Sequence, residues 1–147
     1  MKLLFYGGVQ EIGGNKILLE DDDTRIFLDF GMSFSRYGKF FEEYLKPRVS
    51  CGMGDFARMG LIPQIQGIYR EDLLQLLGQN VHAEPAIDAV LLSHMHLDHA
   101  AYVSFLDESI PIYCTDISRR IAKVILCLLY TSPSPRDRTR SRMPSSA

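Results

Sequence analysis

Apolar residues recur along this chain in two rhythms. KLLFY, NKILLE and RIFLDF, at residues 2–6, 15–20 and 25–30, are short apolar runs between Gly-rich or acidic turns, as the strands of a buried sheet should be. AVLL, inside AIDAVLLS, reads as a central strand, and IPIYC at residues 110–114 as another. Helical signals fall between and after them. KFFEEYL predicts a helix stopped by Pro47, and REDLLQLL a second, with Leu73, Leu74 and Leu77 as its buried stripe and Gly78 as its cap. AAYVSFL continues a helix begun at residues 98–99. Asp116 is placed as the N-cap of a last helix whose Ile117, Ile121, Val124 and Ile125 repeat at i, i+4, i+7 and i+8.

The punctuation between these elements is mostly structural. Glu20-Asp21-Asp22-Asp23-Thr24 lies between two strands and reads as a solvated hairpin turn, because aspartates serve turns through local hydrogen bonds. In GGVQEIGGNK the spacing of Gly8 and Gly13 starts like a phosphate-binding loop, but Gly14-Asn15 stands where Lys-Ser/Thr is required. A strand follows where a helix N-terminus is needed. Tight turns at a sheet edge explain these glycines better. Tyr37, Phe40, Phe41 and Tyr44 could line a substrate rim, although aromatics at helical spacing belong more often to a core.

The periodicity stops near residue 126. From Thr131 onward Ser, Pro and Arg dominate, which by composition alone is a disordered basic tail. A sharper reading is available: residues 127–137 are what a sequencing-library transposon end and its adapter encode, and residues 141–147 are what the same adapter encodes further on. Residues 1–126 are therefore expected to be native and 127–147 an adapter-derived, disordered scar, excluded from fold reasoning. The tail holds four arginines against Asp137, so a chain of formal charge −2 leaves −5 on its first 126 residues. An acidic body of that kind does not by itself attract nucleic acid. Cys51 and Cys114 lack CxxC spacing and read as structural thiols of a reducing cytosol. MKLLFY is too short for a signal-peptide core or a membrane span. The expectation is a cytoplasmic protein with no membrane association.

The densest chemistry is LLSHMHLDHA, residues 91–100, with three histidines and an aspartate directly after an apolar strand. His94 and His96 are two apart, so on an extended strand end they point the same way and can grip one ion. Asp98 and His99 follow at a helix start and project from another direction, which suits a second ion. Imidazole and carboxylate are the donors Zn²⁺ takes when a coordination position must stay open for water. Zinc lowers the pKa of bound water to about 7, and two metals can clamp the attacking and leaving oxygens. A surface cluster or satisfied core histidines could account for one of these residues more easily than for all four. His82, in a polar loop before the strand, is expected to be structural or superficial.

HMHLDH resembles the metal-binding signature of the metallo-β-lactamase-fold hydrolases. Asp29-Phe30-Gly31 is similar to the aspartate-glycine strand end of that superfamily, and GGVQEIGGNKILLE resembles the opening of its β-CASP nuclease branch, which includes ribonuclease J. The resemblance covers residues 2–31 and 86–125 and implies an α/β fold, the αββα metallo-β-lactamase fold, with only its N-terminal half present. It implies two zinc ions, His94 and His96 on the first, Asp98 and His99 on the second. Asp98 would also orient the attacking water or accept its proton, and Asp29 would support the ligands from behind. Ala101 departs from the family's glycine and is expected to alter packing alone. Later ligands and the nucleic-acid-binding region would lie downstream, so a half-domain would be inactive and leave one sheet face open. The intact parent is expected to be a zinc-dependent phosphodiesterase cutting RNA or DNA, RNA being favoured. The alternatives are a thioester or lactam hydrolase of the same fold and an inactive metal-binding fragment.

Overall fold

The computed structural model describes residues 1–41, 44–76 and 84–131. They form two compact units, Met1–Thr115 and the segment from Asp116 on.

The first unit is built on five strands in chain order: β1 (Lys2–Gly7), β2 (Lys16–Asp21), β3 (Thr24–Leu28), β4 (Ala89–Leu91) and β5 (Ile112–Tyr113). β1, β2 and β3 make an antiparallel meander; β4 and β5 then add in parallel. The architecture is α/β with a mixed sheet. Alternation sorts the side chains as period two requires: Leu18, Phe27 and Val90 point to one face and are fully buried. Phe30, Met53, Ile68, Tyr69, Tyr102 and Ile110 complete the core on that side. On the other face Leu3, Phe5, Leu91 and Tyr113 remain 41–61% exposed, an open apolar face.

The acidic turn between β2 and β3 is tight, Asp21 pairing with Thr24 and Asp22 taking a left-handed φ of 48°. Its neighbours are neutralised: Asp21 by the chain's amino terminus at 2.9 Å, Glu20 by Arg25 at 3.0 Å. The glycine-rich residues 8–15 form a loop that leads into β2, as a strand-edge turn should.

Between β3 and β4 the helices are shorter than the apolar spacing suggests. α1 is Phe34–Tyr37, not KFFEEYL, whose described residues lie outside any helix. Ser33 decides the start, its hydroxyl accepting from the Arg36 N–H, and Gly38 ends the turn. The aromatics divide accordingly: Phe41 is buried and packs on Tyr37 and Phe56, whereas Phe40 and Tyr44 are exposed. α2 (Gly54–Arg58) follows, then α3 (Glu71–Leu76), where Leu74 is buried as its spacing predicts. Leu77, Gly78 and His82 lie outside the described residues.

After β4 the helix expected through AAYVSFL is a single turn, α4 (Leu97–Ala100), followed by a 3₁₀ turn at Val103–Phe105. α4 stops early because backbone donors from other segments take its carbonyls. The second unit contains α5 (Asp116–Thr131). Asp116 is its first residue, not its cap, and its carboxylate is engaged by Arg119 and Arg120 at 2.6 and 2.7 Å. Ile117, Ile121 and Val124 are exposed on it. The helix runs on through residues 127–131, where Cys127, Leu128 and Leu129 prolong its apolar spacing. Residues 132–147 lie outside the described residues. Among the described residues no helix is long and apolar enough to cross a membrane.

Candidate functional site

β4 ends at Leu91, and the chain then runs through His94 outside any strand or helix until α4 begins. His96 sits immediately before the helix at φ −67°, ψ 148°, and Asp98 and His99 lie within its turn. This change of direction brings the four signature side chains together. The His94 and His96 rings are 4.6 Å apart by centroid, and His94 and His99 4.1 Å. Asp98 Oδ2 stands 3.4 Å from His99 Nε2. His94, Asp98 and His99 are half-buried and His96 is exposed.

Two loops hold this turn by its backbone. A one-turn helix leaves its last carbonyls short of partners; Leu97 O alone of the next three accepts from within the turn, from Ala101 N–H, and donors from outside reach all three. Leu97 O accepts from Met32 N–H at 2.9 Å, Asp98 O from Asn15 N–H at 3.1 Å, and His99 O from Phe30 N–H at 2.8 Å. Such close approach needs glycine. A Cβ at Gly31 would overlap the Asp98 carbonyl, and one at Gly13, whose φ is +78°, would meet Asp98 Cβ at 2.5 Å. Ala101, by contrast, has φ −56° and needs no glycine. Glu11 secures the first loop: its carboxylate accepts from Gly8 N–H and from the Ser33 and Ser35 hydroxyls. Burial opposes the charge on Glu11, yet those hydrogen bonds outweigh it and lower its pKa.

Beneath the turn lies Asp29, buried and left-handed at φ 58°, a conformation aspartate tolerates better than most residues. Its Oδ1 accepts from Ser93 N–H at 2.7 Å; its Oδ2 accepts from Ser93 Oγ at 2.9 Å and lies 2.8 Å from His99 Nδ1. Ser93 Oγ is also 2.9 Å from His94 Nδ1. With both imidazoles neutral, one proton arrangement satisfies the contacts that Asp29 and Ser93 make with His94 and His99. Ionised Asp29 can only accept, so His99 donates from Nδ1 and Ser93 from its hydroxyl. Ser93 has then spent its proton and accepts from His94 Nδ1. In that neutral form the proton of each ring sits on Nδ1 and Nε2 carries none. Asn15 Nδ2 lies 3.2 and 3.3 Å from the two nitrogens of His99, almost equidistant, so it aims squarely at neither lone pair.

These positions bear on metal binding. Two donors about 2.0–2.1 Å from one tetrahedral ion stand about 3.3–3.4 Å apart, the separation seen between Asp98 Oδ2 and His99 Nε2. That contact is too long for a good hydrogen bond. Among the described residues, however, no three His, Cys, Asp or Glu side chains already converge as a closed cation cage. Imidazole and carboxylate are donor types that suit zinc, while among the described residues no closed cage is formed. Cys51 and Cys114 are free and take no part.

Sequence reasoning missed Ser93, Asn15 and Lys16. Lys16 is 1% exposed, and burial, with the like charge of Arg36 adding to it, brings its pKa down to about 8 while Glu11 opposes the shift. The ammonium form still predominates at neutral pH. A lysine within an apolar strand run, right after the Gly-rich loop, was the available signal.

No protein-family model matches the chain. In an alignment of 138 positions that covers 88% of the chain, it is 27% identical to transcription termination factor FttA of Lokiarchaeum sp., and over 128 positions 24% identical to that of Methanocaldococcus jannaschii. It is 27% identical over 120 residues to ribonuclease J of Helicobacter pylori. The chain spans between 13% and 16% of the length of these curated relatives. Among solved structures, a protein of unknown function from Enterococcus faecalis matches 81% of this chain with 26% of its own, at a TM-score of 0.57 and 29% identity.

Proposed function

We propose that these residues are part of a zinc-dependent hydrolase of the metallo-β-lactamase fold, β-CASP branch, that cleaves RNA. His94 and His96 would hold one ion, Asp98 and His99 the other. The observation that carries this reading is the single carboxylate, Asp29, which engages Nδ1 of His99 directly and Nδ1 of His94 through Ser93, so that neutral rings would turn their Nε2 lone pairs to an ion. Carboxylate-backed histidines of this kind are the usual support of metal ligands, fixing both tautomer and ring orientation. Zinc, once bound, would supply Lewis-acid activation of water at neutral pH. The protein's own part is to orient: Asp98, half-buried beside His99, can accept a proton from the attacking water and point it at phosphorus.

Two of the relatives support the substrate class by name, one being a ribonuclease and the other a transcription termination factor. We assign the reaction to an intact parent, because four ligands and a sixth or less of the relatives' length supply only part of a two-metal site. The adapter reading of residues 127–147 belongs to this proposal, as does a cytoplasmic location. In the intact parent, Asp98→Ala is expected to abolish zinc-dependent cleavage of a labelled RNA; unchanged turnover would sink the assignment. The purified 147-residue chain should bind zinc in equilibrium dialysis and cleave neither RNA nor DNA, and measurable zinc-dependent turnover by it would refute the division of labour.

A further inference from the structure

Lys16 opens β2 and is among the most deeply buried side chains of the described residues, yet none of the chemistry above uses it. Its Nζ donates to Gly14 O at 3.0 Å and to Gly31 O at 2.7 Å. These carbonyls belong to different loops. Each is one half of a peptide group whose N–H grips the signature turn: the Gly14–Asn15 peptide donates through Asn15 N–H to Asp98 O, and the Gly31–Met32 peptide through Met32 N–H to Leu97 O. One cation thus stands behind two peptides that hold the carbonyls on either side of the Asp98 nitrogen and α-carbon. The third side of the ammonium faces the Tyr102 ring, 5.6 Å from its centroid.

A charge bonded to a peptide oxygen polarises that peptide and strengthens the hydrogen bond its N–H donates, more so where water is excluded. We propose that Lys16 is a positioning residue, which fixes the backbone of Asp98 by polarising the two peptide groups that grip it. It touches no substrate and no metal ligand. Its effect on zinc affinity rests on the metal-site reading above, whereas its hold on Asp98 does not.

The experiment takes the 147-residue chain and Lys16→Met, which keeps the apolar stem and removes the charge, and reads amide hydrogen exchange by NMR without metal. Exchange at Asn15 and Met32 is expected to rise about tenfold, the worth of one hydrogen bond. Phe30 is the internal control: it donates to His99 O from the same loop, but its own peptide carbonyl is not bonded to Lys16, so its exchange should stay as in the unsubstituted chain. An equal rise at Phe30 and along β2 would reduce Lys16 to a general packing role and overturn the proposal, as would no change at all. If Lys16→Met does not fold, Lys16→Gln, which keeps a donor without the charge, decides by the same comparison: a rise at Asn15 and Met32 that spares Phe30 supports the proposal, and an equal rise at all three or none overturns it.

A zinc titration separates the two claims. The variant is expected to bind zinc roughly tenfold more weakly, as loss of an outer support commonly does. Unweakened zinc binding alongside faster exchange would deny Lys16 a role in positioning ligands. An unsubstituted chain that binds no zinc would remove the metal reading, and the exchange data would still decide whether Lys16 fixes Asp98.

Discussion

Asp29 and Asp55 are both buried aspartates in the same unit, 8% and 4% exposed, and they do opposite things. Asp55, in the first turn of α2, is neutralised where it stands. The Arg48 guanidinium reaches it at 2.6 Å and the Arg48 N–H at 2.9 Å. Those hydrogen bonds hold its carboxyl at about 2. The pair is a clip between a loop and a helix. Asp29 has no guanidinium in its network. Its partners are a backbone N–H, a hydroxyl and an imidazole, so its charge is used to decide where protons sit on its neighbours. A buried carboxylate matched to arginine secures shape; one matched to titratable and hydroxyl groups arranges chemistry.

The largest expected effect tests that contrast directly. Asp29→Asn keeps the size of the side chain but can no longer accept from both Ser93 and His99 as a carboxylate does. Zinc affinity is expected to fall roughly 10–100-fold, and ¹⁵N spectra should show His99 losing its fixed Nδ1–H tautomer. Asp55→Asn should leave zinc affinity unchanged while lowering the denaturant midpoint of unfolding. Equal losses of zinc binding in the two variants would break the comparison.

The contrast also shows what the sequence could and could not reveal. Local rhythm was enough for the first three strands and for AVLL, because period-two patterns in short runs are decided by neighbours in the chain. The signature His94, His96, Asp98 and His99 was visible because its spacing is itself local. Asp29 was reachable only through the resemblance, for nothing at residues 28–31 alone announces an imidazole 70 positions away. Ser93, Asn15 and Lys16 were not legible, since each acts through contacts that exist only once two loops close on α4. The helices failed in an instructive way. KFFEEYL has helical spacing, but Ser33 and Gly38 place a start and a stop earlier, and AAYVSFL is cut short where Phe30, Met32 and Tyr102 exchange backbone hydrogen bonds with α4 and with one another.

A pH series sharpens the comparison with two smaller effects, one in acid and one in alkali, both of which raise stability as pH rises. Asp55 is lowered from 3.8 to about 2 by its hydrogen bonds to Arg48, so the folded state holds that proton less tightly than the unfolded. The stability it contributes is complete above pH 3.8 and is lost as pH falls toward 2. Lys16 is lowered from 10.5 to about 8, burial being the chief cause. Between those values the unfolded chain binds the extra proton, so stability should rise with pH from about 8 to 10.5. Urea midpoints measured across both windows should lose the acid slope in Asp55→Asn and the alkaline slope in Lys16→Met. An unaltered alkaline slope in Lys16→Met would mean that another group carries it.

The smallest effect comes from a buried polar group at the far end of the same scale. Tyr102 is 3% exposed, and its hydroxyl has no hydrogen-bond partner among the described residues; burial pushes its pKa up. Its ring does the packing, stacked on Phe105 and edge-on to Phe56 at 5.5 Å in each case. Phenylalanine keeps every one of those ring contacts. An unpaired buried hydroxyl has given up its hydration without compensation, so Tyr102→Phe is expected to stabilise the fold by about 1 kcal/mol, seen as a higher urea midpoint with an unchanged slope. Removal of the hydroxyl then helps at Tyr102, whereas loss of the carboxylate charge harms the fold at Asp55 and zinc binding at Asp29, and the partner of each group accounts for the difference. A destabilised Tyr102→Phe would reveal a hidden partner for the hydroxyl and place Tyr102 with Asp55.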